Sequence, residues 1–204
     1  MTETATRRGR PTAEDARQKQ ENILAVAREM FSDLGYRAVT MRDVADRARV
    51  STRTLYNRYA DKVSLFSACI NFHATVFPQL ELQTGQDLEG TLGHYAAEIV
   101  RALSEGAALR IGTLVFREGS EVPELVQAAD ANQNRYLIQP LAKFLRGCGL
   151  EKPGSVAMAR LFIAMALAEW QRSVVFGHPL PAEQEIALHS RRVAAVFLKG
   201  AATP

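Results

Sequence analysis

The sequence predicts an all-α chain, in which a three-helix N-terminal domain built around a helix-turn-helix precedes a larger C-terminal helical bundle. Three observations carry this. Apolar residues recur at three- and four-residue spacing along most of the 204 residues. No run of strict alternation and no Asn-Gly or Asp-Gly hairpin turn stands between the apolar runs. Two short periodic stretches meet at a tight turn near Val50, the pattern of two helices crossing steeply.

The elements follow in order. Residues 1–16 read as a basic, flexible arm punctuated by glycine and proline. Thr12 with Asp15 is a capping pair for a first helix, whose apolar positions are Ile23, Ala27, Met30, Phe31 and Leu34. Gly35 supplies its C-terminal stop. Thr40 and Asp43 repeat the capping pair and open a short helix carrying Val44, Ala45 and Ala48. Ser51 caps another through Leu55 and Tyr56, and Asp61 caps a longer one ending near Pro78. Residues 17–77 are thus the N-terminal domain, with the helix-turn-helix at 40–59. Residues 78–204 form the second, with helices expected at about 88–103, 107–116, 123–146, 156–176 and 182–199. Pro140 should kink or divide the third of these, because it removes one backbone donor.

With 47% apolar and 23% charged residues, the composition is that of an ordinary globular protein. Cys69 and Cys148 form no CxxC pair and read as reduced thiols in a cytoplasmic protein. No stretch reaches about 18 uninterrupted apolar residues, and Met1–Arg10 is polar, so neither a membrane span nor a signal peptide is expected. The net charge of +3 is unevenly placed. Up to Lys62 there are 13 Lys/Arg against 9 Asp/Glu, and from Val63 onward 12 against 13. That asymmetry points the N-terminal third at a polyanion, although solvated helix faces also collect charge.

The helix-turn-helix gives the charge a use. Its second helix suits the major groove of double-stranded DNA, with Thr52, Arg53, Thr54 and Asn57 on the outer face. Arginine pairs bidentately with guanine, asparagine with adenine, and threonine meets a thymine methyl or a phosphate. Tyr56 and Tyr59 carry hydroxyls suited to phosphate oxygens, and Thr40, Ser51 and Lys62 stand at helix starts, where backbone amides attract anions. Arg42 adds a cation on the first helix of the motif. Arg8 and Arg10 flank Gly9 as in an AT-hook, which slots into a narrow minor groove, and the alternative is a basic tail giving nonspecific attraction. For the outer face the alternative is a solvated helix surface.

Here the sequence resembles the TetR family of bacterial transcription regulators. The resemblance rests on Thr40, Val44-Ala45, Ala48-Arg49-Val50-Ser51, Leu55-Tyr56, Tyr59, Lys62 and Leu65, and on the upstream Phe31-Ser-Asp-Leu-Gly-Tyr36. It covers roughly residues 17–77. Arg49 departs from the family's usual glycine, and a left-handed turn there would cost about 1 kcal/mol. Arg58 departs from a usual tyrosine or histidine and adds a candidate phosphate contact. Phe116-Arg-Glu-Gly-Ser-Glu-Val-Pro-Glu-Leu125, with Arg135, Leu141 and Gly149-Leu150, is similar to the C-terminal domain of the AefR-like subgroup. The resemblance implies a homodimer joined through the last two helices, a palindromic DNA operator, and a repressor released by a small-molecule effector. The effector would sit in a cavity among the C-terminal helices, for which His73, Tyr95, Phe116 and Trp170 are wall candidates. A solid core is the alternative.

No enzymatic or metal chemistry is expected. His73, His94, His178 and His189 form neither an HExxH motif nor an i,i+4 pair, so no metal or cofactor is called for. The C-terminal half holds no GxSxG elbow, no phosphate cradle and no acid–base pair, and Glu118, Glu121 and Glu124 read as solvated surface near a turn. Two other functions fit the sequence: a ligand-responsive activator, and a helical small-molecule-binding protein or enzyme with no role on DNA.

Overall fold

The computed structural model describes residues 12–74, 77–80, 87–150 and 154–201. Among them the chain forms eleven α-helices and one π-helical turn, with no strand. The N-terminal arm through residue 11, including Arg8 and Arg10, lies outside the described residues.

Helix α1 (Ala13–Leu34) begins inside the stretch assigned to the arm, because its cap is already complete at Thr12. The Asp15 amide donates to the Thr12 hydroxyl at 3.1 Å, and the Thr12 amide donates back to the Asp15 carboxylate at 2.9 Å. These reciprocal bonds hold the Asp15 carboxyl below its ordinary pKa. The same box at Thr40 and Asp43 starts α2 (Met41–Arg47), Ser51 caps α3 (Thr52–Tyr56), and Asp61 starts α4 (Lys62–Ala74) by accepting from the Ser64 amide at 2.7 Å. Each cap satisfies amides that the first helical turn leaves without partners.

The C-terminal helices are α5 (Leu88–Ser104), α6 (Gly106–Glu118), α7 (Pro123–Gln133), α8 (Gln139–Gly147), α9 (Ser155–Ala166), α10 (Ala168–Phe176) and α11 (Glu183–Ala201). The disturbance expected from Pro140 takes the form of a π-helical turn, Asn134–Ile138, immediately before it. There the Gln139 amide donates to the Asn134 carbonyl, which widens the helix and eases the clash a proline ring makes with the carbonyl four residues back. The single helix expected over 156–176 is instead two, divided at Leu167 (φ −88°, ψ 0°). Neither glycine nor proline marks that break. It accompanies the seating of Trp170, whose Nε1 donates to the Leu103 carbonyl at 3.1 Å.

Two cores result, and they do not divide at residue 77. One joins α1–α4 through Ile23, Phe31, Val44, Leu55 and Phe66, and takes in Ile111 and Leu114 of α6 and Leu125 of α7. The rings of Phe31, Tyr36 and Phe66 lie 5.4–5.5 Å apart at its centre. The other joins α5 to α8–α11 around Leu141, Phe162 and Phe197. Arg101 ties α5 to the start of α11 through Glu183 and also pairs with Glu98. Helix α6 therefore packs against both halves, through α1 on one side and α5 and α10 on the other, while α7 packs against α4.

Contact between α6 and α10 depends on Gly112. A Cβ at that position would stand 2.9 Å from the ring of Trp170, which its bond to Leu103 holds in place. Gly112→Val should therefore lower stability by about 1–3 kcal/mol, as overfilled cores do. A lower urea midpoint and a shifted emission maximum of Trp170, the single tryptophan, are the expected readouts.

Candidate nucleic-acid interface

The reading head is built on α3, which is anchored on one side and free on the other. Leu55 is fully buried among the residues of the N-terminal core. Arg53, Tyr56 and Asn57 are exposed, and their i, i+3, i+4 spacing puts them on one face. Thr52 is half-buried at the edge of that face. Thr54 turns back, its hydroxyl 2.7 Å from that of Ser51 and its amide donating to Ser51 Oγ at 3.1 Å. Arg42 stands in solvent on α2, with Asp46 3.9 Å away. Thr40 is exposed, but its hydroxyl donates to Asp43 at 2.6 Å and is occupied by the cap.

The turn between α2 and α3 carries the strain foreseen at Arg49, whose φ is +56°. It is the one non-glycine residue with positive φ among those described. The turn is bound on the inside: Val50 donates to the Ala45 carbonyl at 2.9 Å, and Asn22 of α1 donates to the Ala48 carbonyl at 3.1 Å.

Three expected DNA contacts are redirected by the fold. Tyr59 is buried, its hydroxyl enclosed among described residues and its pKa raised by burial, so the ring belongs to the core rather than to a phosphate. Lys62 turns inward and donates to the carbonyls of Tyr36 (2.9 Å), Val39 (3.0 Å) and Arg37 (3.4 Å), with the Tyr36 ring 4.4 Å below. Burial pulls its pKa down, and the nearby Glu118 carboxylate opposes that shift. Arg58 reaches back to α1, to the Ala16 carbonyl at 3.3 Å and Gln20 Oε1 at 3.2 Å. A helical periodicity fixes which face a residue takes. It does not reveal an acceptor in a distant loop.

Glu118, expected on the solvated surface, is instead drawn into the contact between α6 and the α1–α2 loop. It is mostly buried, and its carboxylate accepts from the Tyr36 amide at 3.0 Å and from Arg117 at 3.0 Å. A Cβ at Gly35 (φ +84°) would stand 2.6 Å from the same carboxylate, so glycine is needed there for both conformation and space. Arg37 adds an exposed ion pair to Glu121 at 2.7 Å. The end of α6 is thereby fastened to the α1–α2 loop that Lys62 grips from the other side. Only the Gly35 turn and the acidic cluster hint at this in the sequence, and neither names the other.

Comparison with known proteins agrees with this architecture. Residues 23–69 match the model of the bacterial regulatory proteins of the tetR family. Residues 23–69 thus carry a TetR-type N-terminal domain. It is 40% identical over 67 residues to the HTH-type transcriptional activator FasR of Mycolicibacterium smegmatis, a match spanning 33% of this chain and 30% of that protein. It is 27% identical over 128 residues to the HTH-type transcriptional regulator YdeS of Bacillus subtilis, spanning 62% and 56%. The matches thus span about a third to just over half the length of these relatives. Among solved structures, the flavonoid-responsive regulator FrrA superposes with a TM-score of 0.70 at 21% identity, over 90% of this chain and 96% of that one. A TetR-family regulator of Mesorhizobium loti gives 0.70 at 20% identity, over 91% and 97%. These two share the fold. TetR-family members are transcription regulators, not enzymes.

A cavity of about 310 Å³ opens between α4 and the C-terminal helices α5, α6, α7 and α10. Phe116 and Trp170 line it, as does Cys69 of α4. Tyr95 does not: it is buried in the C-terminal core, its hydroxyl pKa raised by burial. The side chain of His73 lies outside the described residues. Burial also pushes the Cys69 thiol up to about 12, which keeps it a neutral wall group. No cluster of His, Cys, Asp or Glu among the described residues is arranged to hold a metal.

Two stability measurements separate scaffold from reading face. Lys62→Met should cost about 1–3 kcal/mol by leaving half-buried carbonyls without a donor, whereas Arg53→Ala should change the unfolding free energy by less than about 0.5 kcal/mol. Arg49→Gly should raise stability by about 1 kcal/mol by relieving the left-handed backbone.

Proposed function

We propose that the chain is a sequence-specific DNA-binding transcription regulator, a homodimeric repressor whose release from a palindromic operator is driven by a small-molecule effector. The observation that carries this reading is the exposed Arg53, Tyr56 and Asn57 face on a helix whose opposite side is locked into the core. Arg53 and Asn57 supply bidentate base-edge chemistry, and the Tyr56 hydroxyl, Thr52 and Arg42 supply phosphate contacts. Each protomer would place α3 in one major groove, with half-sites about one helical turn apart or a small multiple of that.

The proposed dimer uses the last helices, in keeping with the apolar side chains they leave in solvent. Leu161 on α9, Phe176 on α10, and Leu188 and Val196 on α11 are each more than half exposed. Such a surface is costly in a monomer and suits a four-helix interface.

The position of the cavity supports such a release. Cys69 and Ile70 of α4 face it, and α4 begins at Lys62, which holds the loop leading into the helix-turn-helix. Helix α6 also lines it and ends at Glu118, bonded to the same loop. A ligand seated there would press on both attachments of the reading head. It would release DNA by as much as it favours the arrangement that cannot bind. The regulator would work in the cytoplasm, with its C-terminal half of the AefR-like type. Because FasR is named an activator, activation is the second reading, and the direction of the transcriptional change on deletion decides between them.

DNA fragments selected from a genomic pool give the operator for a test by fluorescence anisotropy. Arg53→Ala and Tyr56→Ala should each weaken operator binding by about 1–3 kcal/mol, with affinity falling steeply as salt rises. Unchanged affinity in both variants would reject the groove assignment. Phe176→Asp with Leu188→Asp should convert the dimer to monomer in sedimentation and abolish cooperative occupancy of the two half-sites.

A further inference from the structure

The cavity between α4, α6, α7 and α10 has a one-sided chemistry. Ile111, Val115, Phe116, Leu137 and Trp170 make most of its wall apolar. Its polar groups come from Asp130, Asn132 and Gln133 on α7 and Gln171 on α10. Among the described lining residues there is no lysine, arginine or histidine, and Asp130 is the one carboxylate. Two polar groups near the wall are already committed. The Trp170 Nε1 donates to the Leu103 carbonyl at 3.1 Å, and the Asn132 amide nitrogen donates to Asn71 at 2.8 Å. What remains facing a ligand is the Asp130 carboxylate together with neutral amides, which both accept and donate.

An anion entering such a site would lose its hydration and meet a carboxylate of its own sign, with no cation among the described lining residues to replace the water. An apolar body loses nothing polar on entry and gains burial. A donor or cation at one end would keep a partner in Asp130, which is solvent-exposed at the margin of the cavity. At about 310 Å³ the space lies at the small end of ligand pockets, which run from roughly 300 to 1,000 Å³.

We propose that the cavity selects a small, mainly apolar molecule whose single polar end is a hydroxyl or ammonium donor directed at the α7 edge, and that it discriminates against carboxylates and phosphates. This deepens the effector reading of the same cavity and rests on it.

A matched probe series tests the selection: 4-phenyl-1-butanol, 4-phenylbutylammonium and 4-phenylbutyrate share one apolar body and differ in the charge of one end. Titration of the full chain follows Trp170, which is both the single tryptophan and a wall residue. The alcohol and the ammonium should change its emission saturably, and the butyrate should bind at least about tenfold more weakly. Asp130→Asn should narrow the gap between ammonium and butyrate while leaving the alcohol unchanged. Ala129→Phe, which fills the cavity from α7, should abolish all responses. Butyrate binding as tightly as the alcohol, or no saturable response to any probe up to solubility, overturns the proposal. Operator binding of the unliganded chain is measured separately. Its absence with charge selection intact rejects the regulator reading alone, and its presence without charge selection rejects the ligand class alone.

Discussion

An ammonium group bonded to backbone carbonyls is the constraint from which the N-terminal half takes its shape. Lys62 satisfies the oxygens of Tyr36, Arg37 and Val39 in the loop that leaves α1 and enters α2. Without it, the half-buried acceptors of a loop that turns this sharply against a core would lose their protein donor. Because the donor sits on the first residue of α4, the start of that helix and the approach to the helix-turn-helix are fixed to each other. The aromatic trio of Phe31, Tyr36 and Phe66 fills the space beneath. The reading helix inherits this rigidity through Leu55 and through the turn bonded to Asn22.

The same loop is where the two halves of the chain meet. Glu118 reaches it from the end of α6, and the apolar side chains of α6 and α7 continue the N-terminal core past the connecting segment. Helices that wall a cavity on one face and complete a core on another transmit any displacement of one face to the other. A solvated ion pair such as Arg37–Glu121 adds little to this, because water screens it. The hydrogen bond from a main-chain amide to a mostly buried carboxylate adds more.

What the sequence made legible was mostly local. Thr12 with Asp15, Thr40 with Asp43, and Ser51 and Asp61 each form a cap with a partner three residues away, so spacing alone identifies them. The left-handed residue at Arg49 was readable for the same reason, being a property of one turn. Arg53, Tyr56 and Asn57 were placed on the outer face by the helical period. The misplacements share an opposite cause. Residue type alone suits Lys62 and Tyr59 to DNA, but an acceptor more than twenty positions away and a hydrophobic core claim them. Local sequence puts Glu118 on the surface because its partner lies 82 residues away. The break at Leu167 carries no glycine or proline, and Tyr95, an aromatic like Phe116 and Trp170, went to the core instead of the cavity.

The π-helical turn before Pro140 has a consequence for the long rod that runs from Pro123 to Gly147. An α-helix advances about 100° per residue, so the extra residue in a π turn rotates everything after it by roughly a third of a turn. Before the turn, α7 directs Leu125 to the N-terminal core and Asn132 to the cavity; after it, α8 directs Leu141, Ala142 and Leu145 to the C-terminal core. One continuous rod thus changes phase midway, as a camshaft offsets successive lobes on a single axis. An even α-helical period through 134–138 would hold both ends to the same phase. The offset lets each segment answer to a different neighbour.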